Sequence, residues 1–164
     1  MKIEESIIIK RSPNDVFAFL AARRNDPVWM ESVLESEWLE PVASDTDAPP
    51  ERGRRGRMVM KSMGRRIEYI DEVTDFVSGK RIAHRTVEGP ISLTTACITE
   101  TEGDGCRTTV MVEADAFLSG RFGKLGNFIV AGLVRRGFKA DLIKLRGILE
   151  SKASDTHGVG LRHG

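Results

Sequence analysis

His84 and Asp71 are the residues of this chain whose chemistry could move a proton. An imidazole titrates near neutral pH, and a carboxylate beside it can orient the ring or serve as a base. Tyr69, Thr86 and Thr95 add hydroxyls able to hold a ligand carbonyl. No nucleophile joins them in a triad, so acid-base work or ligand orientation is the chemistry available. A lone inward histidine is more often a hydrogen-bonded core residue. Cys97 and Cys106 are the two cysteines. The strand register derived below sets Cys97 opposite Val110, four strand residues from Cys106 and beyond disulfide reach. His84, His157 and His163 have no cysteine or carboxylate at ligand spacing, and no Gly-rich phosphate loop follows a strand. The expectation is therefore neither metal nor cofactor.

Strands must position these groups. After a first run at Ile7-Ile8-Ile9, strand patterns cover Val33 to Val42, Arg57 to Met63, Arg66 to Phe76, Arg81 to Glu88, Ile91 to Thr101 and Cys106 to Phe117. The last five are separated by short turns at Met63-Gly64-Arg65, Ser78-Gly79, Gly89-Pro90 and Gly103-Asp104, which makes neighbours antiparallel. The polar stretch from Ala43 to Gly56 reads as the longest loop. From Gly120 to about Ser151 the period turns helical, with Val130, Val134, Phe138, Leu142, Leu145 and Leu149 at steps of three and four. No strand-helix-strand alternation suggests a parallel sheet. The class is α+β: an antiparallel sheet whose apolar face must curl around one long C-terminal helix.

Alternation converts these strands into a register. Arg81 and Arg85 share the solvent face, so Ile82, His84 and Thr86 point inward. Arg107, Glu113 and Asp115 likewise place Thr108, Val110, Val112, Ala114 and Ala116 inside. Two-residue turns then align Val73, His84, Thr95 and Val112 in one row and Asp71, Thr86, Leu93 and Ala114 in the next. A third row reads Asp75, Ile82, Cys97 and Val110. Met58 and Met60 face inward if Arg57 and Lys61 face outward, adding adaptable walls.

The opening segment carries the strongest local signal. The β-branched run at Ile7-Ile8-Ile9 is stopped by Ser12, an N-cap, followed by Pro13 at the first helical position and Asp15 as a capping acid. Val16, Phe17, Phe19 and Leu20 give the helix an apolar face, and Asn25-Asp26-Pro27-Val28-Trp29 restarts a second helical turn. This strand, capped helix and Pro-x-Trp pattern resembles the START-like (SRPBCC) superfamily, particularly its bacterial polyketide cyclase/dehydrase and lipid-transport branch. The resemblance spans roughly Ile3 to Leu149 and implies a helix-grip fold with a hydrophobic pocket.

On that resemblance the pocket would be lined by Trp29, Met58, Met60, Tyr69, Asp71, His84, Thr86, Leu93, Thr95, Val112, Ala114 and Gly132. Small residues at Ala114, Ala116, Ala131, Gly132 and Gly137 would leave it room. The expected partner is a small lipid-like or polycyclic molecule. Behind binding, the resemblance admits as alternatives a polyketide cyclase or dehydratase using His84 and Asp71, and then an interaction module of the coenzyme Q-binding and ribosome-associated kind. Phe122, Leu125, Phe128 and Ile129 fall opposite the main apolar stripe of the long helix. They would form a pocket gate, a homodimer contact or packing beneath a loop.

Composition agrees. With 164 residues, 40% hydrophobic and 30% charged, the chain suits one domain, read as residues 1–151 with a disordered tail over 152–164. The formal net charge of +1 argues against a polyanion-seeking surface overall. Cations from Arg52 to Arg66 follow acids from Glu31 to Glu51, and mutual pairing is the preferred account over a nucleic-acid or lipid contact. Glu4 and Glu5 stand where a signal peptide needs an apolar core, and no stretch approaches the roughly 20 apolar residues of a membrane span. A cytoplasmic location is expected.

Overall fold

The structure is a computed structural model that describes residues 2–39, 50–62, 64–90, 92–114 and 123–156, with side chains from 129 to 151 in the last of these. Strand β1, Lys2–Ile9, ends at the expected cap: Asp15 N donates to Ser12 Oγ at 3.2 Å, and Pro13 opens helix α1, Pro13–Ala21. A single 3-10 turn, Arg23–Asn25, leads into the short α2, Asp26–Trp29. Six strands follow: β2 Val33–Trp38, β3 Arg55–Ser62, β4 Arg65–Val77, β5 Arg81–Glu88, β6 Leu93–Glu102 and β7 Gly105–Ala114. Helix α3, Gly123–Thr156, comes last. The seven strands form one curled antiparallel sheet in the order β1-β7-β6-β5-β4-β3-β2, and α3 packs along β1 and against α2.

The first expected row forms as read, and the second is paired at its two ends. Val73 pairs with His84, His84 with Thr95 and Thr95 with Val112; Asp71 pairs with Thr86 and Leu93 with Ala114. The first row is right for an unforeseen reason. The β4–β5 connection is three residues, not two, since Val77 pairs with Arg81; a bulge between Val73 and Asp75 absorbs the extra residue. The third row is wrong at one end. Phe76, not Asp75, lies opposite Ile82, and the Phe76 ring packs on Phe17 at 5.7 Å, while Asp75 turns to the outer face and accepts from Arg81 Nε at 2.8 Å.

The core is lopsided. Ile9, Val16, Leu20, Trp29, Cys106 and Val110 close around Leu142, Leu145 and Leu149 of α3, whereas Val130, Val134 and Phe138, earlier on the same stripe, are half-buried. Helix α3 runs on to Thr156, through the first five residues of the expected tail; residues 157–164 lie outside the described residues. The end of the expected strand and the first half of the long loop fall on 40–49, also outside them. Cys97 and Cys106 are both free. On the outer face Arg57 bonds Glu35, Glu37 and Glu68, and Arg66 joins Glu35, so the opposed charge runs do pair across β2, β3 and β4. No helix among the described residues is long and apolar enough to cross a membrane.

Candidate functional site

The 3-10 turn carries Arg23 inward, beneath the β2–β3–β4 end of the sheet. Its Nη1 and Nη2 donate to the two carboxylate oxygens of Asp71 at 2.8 and 2.5 Å, and its Nε donates to Ser36 Oγ at 3.0 Å. Ser36 in turn donates to Asp26 Oδ2 at 2.7 Å. Arg23, Asp71 and Asp26 are all buried. The guanidinium fits because β3 presents Gly56 there, directly opposite Asp71. A Cβ at position 56 would overlap Arg23. Trp38 covers the cluster, with the Arg23 and Arg54 guanidinium carbons 4.8 and 4.5 Å from its ring centroid and His84 stacked on it at 6.2 Å.

A buried bidentate pair repays its desolvation only with such geometry. It also defines what Asp71 can do, because both its oxygens are engaged by Arg23. His84 Nδ1 lies 3.3 Å from Asp71 Oδ1 without an aligned hydrogen bond. That atom and Trp29 Nε1 are buried nitrogens without a hydrogen-bond partner among the described residues.

Burial pushes the Asp26 carboxyl from 3.8 up to about 6, against the pull of the Ser36 hydrogen bond and the Arg23 charge. A raised carboxyl favours folding while protonated, so its contribution is complete below the unfolded value and is lost as pH rises through the folded one. The Asp26 contribution to wild-type stability should therefore fall by roughly 3 kcal/mol between about pH 4 and 6. Asp26→Asn keeps an acceptor for Ser36 and has nothing to ionise, so its stability relative to wild type should climb across that window and then level off. Urea unfolding of both proteins across the window tests this; a constant difference would refute the assignment. Burial also pushes the Cys97 thiol up to about 12, with the Asp26 charge adding to it, which makes it a poor nucleophile.

The residues expected from the sequence divide into three groups. Asp71 and His84 come together on the inner face, and Tyr69, buried and paired across from Met58, shares that face two residues along β4. Met58, Met60, Thr86, Leu93 and Thr95 are half-buried on the same face, while Val112 and Ala114 are buried. Trp29 is instead sealed in the closed core against Leu142, Leu145 and Leu149. Gly132 is exposed, with nothing within 4 Å of a Cβ placed there. Phe122 and the side chains of Leu125 and Phe128 lie outside the described residues, and Ile129 is exposed.

Sequence reasoning missed Arg23, Asp26, Ser36 and Trp38. Ser36 and Trp38 carried a signal: Glu35 and Glu37 between them mark the solvent face, which turns both inward. Arg23 and Asp26 carried none, because a charged pair in a helical turn ordinarily faces water. Among the described residues no group of His, Cys, Asp or Glu could hold a metal ion.

Residues 1–150 match the family described as polyketide cyclase/dehydrase and lipid transport. No curated protein matches. Solved structures share the fold at low identity. A protein of Thermus thermophilus is 17% identical, with a TM-score of 0.74 over 93% of this chain and 99% of its own. The Zhui aromatase/cyclase of a Streptomyces species is 16% identical, with a TM-score of 0.73 over 93% and 95%. A START superfamily protein of Mycobacterium smegmatis is 13% identical, with a TM-score of 0.63 over 94% and 98%.

Proposed function

The chain belongs to the polyketide cyclase/dehydrase and lipid transport family, and we propose that it binds a small hydrophobic molecule between the sheet and α3. One observation carries this reading. Along the concave face, Met58, Met60, Thr86, Leu93 and Thr95 stay half-exposed, whereas the far end of the same face is closed by Leu142, Leu145 and Leu149. A sheet face that was only core would be sealed along its length. The apolar body of the ligand would lie on Met58, Met60 and Leu93, with its polar end toward Thr95 and His84. Buried Val112 and Ala114 would form the floor.

A cyclase or dehydratase is the second reading, favoured by Asp26, whose carboxyl burial pushes up to about 6 in the buried cluster that His84 adjoins. Asp71 is not free to meet a ligand, because Arg23 holds both its oxygens.

The test is an environment-sensitive apolar dye, with native mass spectrometry of the purified protein for a co-purifying molecule. Wild type should bind the dye saturably and displaceably. Leu93→Trp fills the proposed space from a half-buried position that can accept a larger ring, and should weaken binding about tenfold or more while circular dichroism is unchanged. Dye binding indifferent to this substitution would place the site elsewhere.

A further inference from the structure

Among the described residues, the three most exposed large apolar side chains all belong to α3: Leu133 at 63%, Ile129 at 57% and Ile143 at 56%. At about 100° per residue they fall within an arc of roughly 80°. That arc lies opposite Leu142, Leu145 and Leu149. Gly132, Ala140 and Gly147 fall on the same side and are exposed, and nothing comes near a Cβ placed at either glycine. The three large side chains therefore stand proud of a flat helical surface.

Among the described side chains of α3 around them, the exposed charges have one sign. From Ile129 to Gly147 the exposed charged residues are Arg135, Arg136, Lys139, Lys144 and Arg146. The one acid in that stretch, Asp141, is buried and accepts from Glu31 N at 3.1 Å. Glu5 of β1 pairs with Arg135 at 3.0 Å and Lys139 at 3.9 Å, which leaves the face strongly positive.

Protruding aliphatic side chains flanked by cations on one helix face match the surface of an anionic bilayer. The aliphatics enter the acyl boundary while lysine and arginine meet the headgroups. A second copy of this chain would set like charges against each other. A nucleic acid would engage the cations but would press Ile129, Leu133 and Ile143 against a polar backbone, with no aromatic in the arc to stack on bases. We propose that this face of α3, centred on Leu133 and Ala140 and flanked by Arg136 and Lys144, docks on anionic lipid membrane. The inference rests on the helix surface and stands apart from what the concave face binds.

The full chain is sedimented with phosphatidylcholine vesicles, alone or mixed with phosphatidylglycerol. Binding should need the anionic lipid and fall as salt is raised. Arg136→Gln with Lys144→Gln should lower partitioning about 30-fold, at roughly fivefold per cation, and Leu133→Ser about tenfold. All three positions are exposed, and an unchanged melting temperature separates lost docking from lost folding. Equal binding to neutral vesicles, or none to anionic ones at low salt, overturns the proposal. So does vesicle binding that Leu133→Ser leaves intact, which would mark a purely electrostatic surface of the kind that suits nucleic acid. A concentration-dependent dimer abolished by Leu133→Ser, without vesicle binding, would assign the face to a second copy.

Discussion

Arg23→Met should destabilise the fold by roughly 3–5 kcal/mol, because it strands the Asp71 carboxylate in a buried site without its cation. In the wild type, Asp71 is 8% exposed and receives two hydrogen bonds from one guanidinium. Methionine matches the length of the arginine stem and leaves no large void, so the loss is electrostatic more than a matter of packing. The pair itself is worth far less than the cost of breaking it, since an apolar replacement of both partners avoids both desolvation penalties. Arg23→Met combined with Asp71→Leu should therefore recover most of the lost stability, the remainder reflecting Asp26 and Ser36, which also face Arg23. Urea midpoints of the two single variants and the double variant give the coupling directly. A double variant as unstable as the sum of the singles would show that Arg23 and Asp71 do not act as a pair.

That pair marks the boundary of what the sequence discloses. Periodicity locates strands and the long helix because burial on one face repeats every two or three to four residues, so the α+β class and the Thr95–Val112 alignment follow from it, while the helix-grip fold comes from the family resemblance. A two-residue turn and an unbroken strand were both wrong for β4 and β5, and the errors cancelled at His84 while surfacing at Asp75. Bulges leave little trace in the sequence, since one extra residue only displaces the alternation that follows it. Arg23 and Asp26 were hidden for a different reason. Their burial depends on partners 48 and 10 residues away, Asp71 and Ser36, and on the bare backbone of Gly56. Pattern along one segment carries no information about such a meeting. Gly132 shows the converse limit: a small residue on a helix is compatible with a pocket wall or with open solvent, and only the rotation of α3 against β1 decides between them.

Gly56 makes the strongest demand on its neighbours, and substituting it should be as damaging as losing Arg23. The residue sits in β3, paired with Trp38 on one side and Asp71 on the other. Nothing in that strand conformation requires glycine, and Gly→Ala at a compatible backbone position ordinarily stabilises by about 0.4–1 kcal/mol. The methyl group of Gly56→Ala would overlap the Arg23 guanidinium. The end of an arginine usually swings aside at little cost. Here it cannot move without losing both bonds to Asp71, the bond to Ser36 and its stacking on Trp38. Gly56→Ala should consequently cost about 3–5 kcal/mol in the wild type, the figure for a broken buried pair. In the Arg23→Met background the guanidinium is already gone, so the same methyl group should cost less than about 1 kcal/mol. Chemical denaturation of the four proteins in this cycle separates the two causes. A neutral or stabilising Gly56→Ala in the wild type would mean that Arg23 is not pinned in place. An equal cost in both backgrounds would trace the damage to the strand and not to the buried ion pair.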